Sequence, residues 1–194
     1  MTEKEKAAAG YLFDPGADPQ NARDIERCID LCHAYNQCTP SDTPSKQNLL
    51  KQIIGNMGKN VVITAPFWCD HGYNISIGND FYSNHNLVIT DGAKVTFGDH
   101  VFIAPNCCLT TAEHAIDAEQ RVQGLEVAKP ITIGNNVWIG AGTTILAGVT
   151  IGDNTVIGAG SVVKKDIPAN VVAVGVPCRV LREITEADKD RYPR

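Results

Sequence analysis

The chain has 194 residues, 43% of them hydrophobic, which suffices for one well-filled core with an appendage. Its net charge of −5 and the lack of any Lys/Arg run exclude nucleic acid and an anionic membrane surface as main partners, so any basic site must be local. No apolar run approaches the roughly 18 residues of a membrane span, and MTEKEKAAAG mixes acid and base with no long apolar core, so the expected address is cytoplasmic.

Residues 1–58 are expected to form a helical N-terminal capping segment. Lys4 to Leu12 reads as a short alanine-rich helix. Asp18-Pro19 joins a cap to proline at the first helical position, and Ile25, Cys28, Leu31, Cys32 and Tyr35 mark one face of a second helix. Thr43-Pro44 repeats the start signal for a third, whose apolar residues Leu49, Leu50, Ile53, Ile54 and Met57 end at Gly58. The seven cysteines include no CxxC pair. Cys28, Cys32 and His33 with Cys38 match no common zinc spacing, and Cys28 and Cys32 read as buried free thiols. Reduced thiols agree with a cytosolic address.

Strand character begins at Val61, and residues 59–184 form the predicted main domain. One position in six is inward-facing through Ile77, Ser83, Ile89 and Val95, and the register restarts two residues later at Phe97, Ile103 and Leu109, with a slip near Asp91-Gly92. After an interruption it resumes through Ile133, Ile139, Ile145, Ile151, Ile157 and Val163. A period of six is neither helical nor that of a simple strand. It predicts a parallel β-helix, each hexapeptide giving a short strand and a corner where Gly or Asn tolerates unusual dihedrals. An antiparallel sandwich spaces its turns at about 8–12 residues and fits poorly. Open ends of such a solenoid need covering, which is the role expected of the helices.

The interruption, a loop over 110–130, carries His114, Asp117, Arg121 and Glu126. Long excursions of this kind are functional or disordered. Among the five histidines, His114 alone sits there, beside Glu113 and Asp117. An imidazole can take a proton from a hydroxyl near neutral pH if another group holds its tautomer. Glu126, Asp117 or a backbone carbonyl could be that holder. A surface histidine without a role is the competing reading. Residues 185–194 are left as a C-terminal tail.

From Phe67 to Ile184 the chain resembles the galactoside and maltose O-acetyltransferases of the hexapeptide-repeat acyltransferase family. The matching motifs are CDHGYNISIGNDFYSNHN, GDHVFIAPN, EHAID, KPITIGNNVWIG, VTIGDNTVIGAGSVVKKDIP and GVPCRV. The N-terminal part is similar to that family's capping segment. The resemblance implies a mainly β fold, a left-handed parallel β-helix, assembled as a homotrimer with active sites between subunits. It implies acetyl transfer from acetyl-CoA, a co-substrate, to a sugar hydroxyl, with no metal. His114 falls on the catalytic base and Asn84 on a residue that positions the acceptor. Asp70 is an acceptor contact that matches the maltose enzymes, since the galactoside enzymes carry serine there. Gly92 replaces an acidic residue of the galactoside type, and Asp14 matches another only approximately, so a glucosyl acceptor is favoured over a galactoside. Trp138, Ala141 and Ala159 fall on positions lining the CoA channel, and Lys164, Lys165, Arg179 and Arg182 on its basic end. Clustered Lys/Arg suit phosphates, and small residues let a pantetheine arm approach the backbone.

The expected mechanism is direct: His114 deprotonates the acceptor hydroxyl as it attacks the thioester, and the Ala141 backbone N–H stabilises the oxyanion. The rivals are a ping-pong route through Cys107 or Cys108, a zinc hydratase using His85, His100 and His114, and a non-catalytic β-helical binding protein. Another hydroxyl acceptor, such as a xenobiotic, is the alternative to a sugar.

Overall fold

A computed structural model describes residues 1–192 of the chain; the last two residues of the predicted C-terminal tail lie outside the described residues. Residues 56–183 wind into a left-handed β-helix of triangular section, so the fold class expected from the six-residue period is observed. Sheet one stacks Asn56–Met57, Ile75–Ile77, Val95–Phe97, Ile131–Ile133 and Thr150–Ile151. Sheet two contains Val62–Ile63, Tyr82–Ser83, Phe102–Ile103, Trp138–Ile139 and Val156–Ile157, closed by the hairpin Val171–Gly175 and Cys178–Glu183. Sheet three stacks Phe67–Cys69, Leu87–Thr90, Cys108–Thr110, Thr144–Ile145 and Val162–Val163.

Registry shows how the repeat is built. Ile133 pairs with Ile151, an 18-residue coil, whereas Ile77 pairs with Phe97 and Met57 with Ile77, coils of 20. The two extra residues lie at the edge between sheets three and one. One of these extended corners falls at the expected slip near Asp91-Gly92, and the other spans Asp70–Asn74, where the sequence reading found no register to break. Phe97 pairs with Ile133, so the coil closes over the excursion without losing register.

Inside the prism, Ile133, Ile139, Ile145, Ile151, Ile157 and Val163 are at most 1% exposed. Each removes a large apolar side chain from water, worth about 1.5–3 kcal/mol. The edge between sheets one and two is held by a polar ladder, in which Asn79, Asp99, Asn135 and Asp153 each accept, through Oδ1, a backbone N–H of the coil before. This ladder explains the Gly-Asn and Gly-Asp pairs of the repeat. A Cβ on Gly134 would stand 2.2 Å from Asp153 Oδ1, so the glycine is needed for close approach, and the left-handed position next along is taken by asparagine, as at Asn136 with φ +56°.

The cap comprises α1 (Glu3–Ala8), α2 (Pro19–Gln37) and α3 (Thr43–Ile53). Helix α1 stops short of the expected Leu12, because the chain turns at Gly10 with φ +73°. Asp18 and Pro19 start α2 as the sequence indicates, while α3 is capped by Asp42, one residue ahead of the Thr43-Pro44 signal. Helix α2 buries Cys28, Cys32 and Tyr35 against the first coils, and Tyr35 Oη donates to the Ile63 carbonyl. The excursion is more ordered than a bare loop: Ala112–His114 and Glu126–Ala128 form an antiparallel hairpin carrying a short α4 (Ala118–Val122). Phe13 bridges to Glu126 through two backbone hydrogen bonds, tying the N-terminal segment to that hairpin.

Candidate active site

The hairpin carrying His114 grows out of the strand Cys108–Thr110, at the edge between sheets three and one. Thr111, fully buried at its base, donates through Oγ1 to the Thr90 carbonyl and accepts from the Ala93 N–H, which fixes where the hairpin leaves the coil. His114 and Glu126 are cross-strand partners, with Nε2 3.7 Å from Glu126 Oε1 and the imidazole 60% exposed. That spacing is too long for a hydrogen bond. Of the holders left open by the sequence, Asp117 is engaged elsewhere, its Oδ1 accepting the Gln120 N–H at the start of α4. Glu126 is the carboxylate facing the imidazole.

Asp70 lies at the same edge, directly after Phe67–Cys69. Its backbone N–H and that of His71 donate to Oδ1 of the fully buried Asp91, at 3.0 and 2.9 Å. Burial first, then the Asp91 carboxylate, push the Asp70 carboxyl above its ordinary pKa, and Glu126 adds to the rise. Asp91 was missed by the sequence reading; its only signal was its place at the register slip. Among the described residues Asp91 Oδ2 and His71 Nδ1 are buried without partners, while His71 Nε2 contacts Asn21 Oδ1 at 2.8 Å.

Asn84 is elsewhere. It follows Tyr82–Ser83 at the edge between sheets two and three, where its Oδ1 accepts the His85 N–H. On that same edge stack Pro105, Ala141 and Ala159: Gly142 N–H donates to the Pro105 carbonyl and Gly160 N–H to the Ala141 carbonyl. The N–H groups of Ala141 and Ala159 donate to no acceptor among the described residues. Gly142 and Gly160, at φ +67° and +70°, have nothing within 4 Å of a would-be Cβ, so this edge is an open ledge. Trp138, 53% exposed, stands beside it on the outer face of sheet two, in register with Tyr82 and Phe102. Sequence reasoning singled out Trp138 and missed Tyr82 and Phe102, although both occupy the outward position next to an inward one.

The basic residues are dispersed. Lys164 and Lys165 are exposed at the edge shared with Asp70, and Arg179 lies in the hairpin that closes sheet two. Arg182 already holds Asp188 through two hydrogen bonds of 2.8 and 2.6 Å. The structure therefore gathers His114, Glu126 and Asp70 on one edge, and Asn84, Ala141, Ala159 and Trp138 along another edge and the face beside it. The strand Leu87–Thr90 separates these edges, on the order of 13 Å at the rise of a β-strand.

Within one chain the rival chemistries find little geometric support. Cys107 is buried with Sγ 3.3 Å from the Gly140 carbonyl, and burial pushes its thiol up. Burial and then the Asp70 carboxylate raise Cys108, the opposite of nucleophile activation. His85, at the edge between sheets two and three, contacts the Ala65 carbonyl, and His100, at the edge between sheets one and two, faces Asp80. With His114 they occupy three different edges, so one chain does not converge them on a metal. Cys28 and Cys32 are buried thiols as expected, and their close neighbour is Cys69 rather than His33 or Cys38.

A cavity of about 430 Å³ lies between α1, the Phe13–Asp18 segment and the edge near Asp91. Asp14, His71, Tyr73, Gly92 and Lys94 line it, but His114, Asp70 and Asn84 do not. Of the three positions where the chain departs from the galactoside pattern, Asp14 and Gly92 thus fall in one place and Asp70 outside it.

Similarity to known proteins agrees with this geometry. A family profile described as "Maltose acetyltransferase hexapeptide capping motif" matches residues 6–58, and one described as "Bacterial transferase hexapeptide (six repeats)" matches residues 130–165. A putative acetyltransferase of Saccharomyces cerevisiae is 52% identical over 95% of this chain and 94% of its own length. A galactoside acetyltransferase solved in complex with coenzyme A is 45% identical with a TM-score of 0.96, covering 100% of this chain and 96% of that one. A maltose O-acetyltransferase from Clostridium difficile is 44% identical with a TM-score of 0.92, over 96% of this chain and 99% of that one. Along essentially its whole length, the chain belongs to the hexapeptide-repeat acyltransferase family and closely matches its galactoside and maltose O-acetyltransferases.

Proposed function

We propose that the protein is a cytoplasmic, trimeric sugar O-acetyltransferase that moves the acetyl group of acetyl-CoA to a hydroxyl of a glucosyl sugar such as maltose, in one direct step. The observation that carries this reading is the division of the site residues between two edges of one prism. Two half-sites that far apart cannot meet within a chain, but they meet where the edge of one copy faces the edge of the next in a closed ring. The exposed ladder Tyr82, Phe102 and Trp138 on sheet two is the apolar surface such packing would cover.

In this assembly His114, steadied by Glu126, takes the proton of the acceptor hydroxyl. Asp70 accepts hydrogen bonds from the sugar, and the neighbouring copy's Asn84 helps fix it. The open ledge supplies the donor side: the free Ala159 N–H suits a pantetheine amide, and the free Ala141 N–H is the donor we assign to the oxyanion. Lys164, Lys165 and Arg179 suit the nucleotide phosphates. Arg182 takes part only if its pair with Asp188 opens. The cavity lined by Asp14, Gly92 and Lys94 gives room for the part of the acceptor remote from the reacting hydroxyl. Among the described residues, no helix is long and apolar enough to cross a membrane.

A screen of sugars and alcohols with acetyl-CoA, following free thiol release, tests the reading. Maltose and glucosyl sugars are expected to outpace β-galactosides, and Asp70→Ser should shift that preference toward galactosides. Release with no acceptor tested, or an unchanged preference in Asp70→Ser, would refute the acceptor assignment.

A further inference from the structure

Cys28, Cys32 and Cys69 have no part in acetyl transfer, yet their three sulfurs lie within 4.8 Å of one another. Cys28 Sγ is 3.5 Å and Cys32 Sγ 3.8 Å from Cys69 Sγ. Three sulfurs bonded at about 2.3 Å to one pyramidal centre, with angles near 100°, stand about 3.5 Å apart, so the cluster needs little movement to close on a single atom. The cysteines come from two separate units: Cys28 and Cys32 sit one turn apart on α2, and Cys69 ends the strand Phe67–Cys69 of the first coil. Their exposures are 1%, 0% and 4%.

We infer that Cys28, Cys32 and Cys69 form a closed three-thiol site for one trivalent thiophilic centre, with arsenite, As(OH)3, as the soluble species that reaches it. Ligand number and charge select this class. Zinc prefers four ligands, and no other His, Cys, Asp or Glu ligand atom among the described residues joins the three. Three thiolates around Zn(II) would leave a net charge of −1, and around Cu(I) of −2, in an apolar core where an unpaired charge is costly. Trivalent arsenic takes three bonds, keeps its lone pair and gives a neutral product. Each thiol proton leaves with a hydroxide of the arsenite: three As–O bonds break, three As–S bonds form, three waters are released and no oxidation state changes. The sulfur spacing is also too tight to enclose an inorganic iron–sulfur cluster. Because the bridge would join α2 to the solenoid, it should hold the cap down.

The test uses the full-length reduced protein, incubated with arsenite, freed of excess reagent, and assayed for arsenic by elemental mass spectrometry and for thiols after denaturation. One arsenic per chain and loss of three of the seven titratable thiols are expected, with a higher Tm. Cys28→Ser and Cys32→Ala should each take up less than a tenth as much, while Cys107→Ser, whose sulfur lies outside the cluster, should bind as the parent does. Circular dichroism and acetylation rates check that the variants fold. Equal uptake in the folded Cys28→Ser and Cys32→Ala proteins, or no uptake by the parent even when mild denaturant loosens the cap, would overturn the site. Stoichiometric Zn(II) binding that blocks arsenite would overturn the choice of ion class.

Discussion

The Asp70 carboxylate is held in a setting that disfavours its charge, burial being the larger cause and Asp91 the next. Its folded-state pKa is therefore raised, so the unfolded chain loses this proton first as pH rises. Stability is then lost as pH climbs from about 3.9, the ordinary aspartate value, through the higher folded value. Asp70→Asn should accordingly raise the Tm at pH 7 and leave it unchanged below about pH 3.5. Partial exposure screens the charge, so the gain is small and its sign and pH dependence are what the measurement reads. The same substitution should lower acetylation of a glucosyl sugar, and a variant both less stable and less active would show that Asp70 serves the fold instead. His114 carries the complementary prediction. His114→Ala should reduce kcat by about 10²-fold or more and leave acetyl-CoA affinity within a few-fold, read by steady-state kinetics and calorimetry. Wild-type activity should fall on acidification, because a protonated imidazole accepts no proton. Full activity in His114→Ala, or acetyl-cysteine found by mass spectrometry, would end the direct-transfer reading.

At the scale of elements, the hairpin Ala112–His114/Glu126–Ala128 and the corner Asp70–Asn74 carry the residues proposed for the chemistry. The corner depends on Asp91, whose Oδ1 accepts two N–H groups and whose backbone carbonyl accepts from Asn74 Nδ2 at 2.7 Å. Asp91→Ala leaves the buried His71 N–H and the partly buried Asp70 N–H without their acceptor, at about 1–3 kcal/mol for a buried group. Thermal denaturation should show that loss, and the acceptor KM should rise more than the acetyl-CoA KM; equal rises would mean that the corner does not aim Asp70. These elements also mark what the sequence made legible. The inward column Ile133 to Val163 was readable because a solenoid repeats one local rule, and each side chain meets its own counterpart one coil away. The 20-residue coils were half readable: the corner at Asp91 breaks a visible register, while that at Asp70 precedes it. The cross-strand pairing of His114 with Glu126 and the Phe13 bridge were hidden, since a short hairpin without Asn-Gly at its turn leaves no periodic trace and a bridge between residues 13 and 126 depends on tertiary contact. Cys69 could not be joined to Cys28 and Cys32 for the same reason.

At the scale of the molecule, the proposed site residues of one chain fall in two groups on separate edges, and an exposed apolar ladder lies beside one of them. Phe102, 51% exposed at the centre of that ladder, should sit in the contact between copies. Phe102→Glu places a charge there, and light scattering is expected to show chains of about 21 kDa with little activity; a fully active monomer would remove the shared site. A more direct test mixes two dead proteins. His114→Ala and Asn84→Ala, each nearly inactive alone, are co-expressed so that their chains assort at random within one ring. Where an intact His114 edge meets an intact Asn84 edge the site is whole, which in a closed ring with equal inputs occurs at roughly a quarter of the contacts. The mixed protein should therefore regain roughly a quarter of wild-type activity, while separately purified variants combined without subunit exchange regain none. Mixed rings that stay as inactive as their parents would contradict a site built from two copies of this chain.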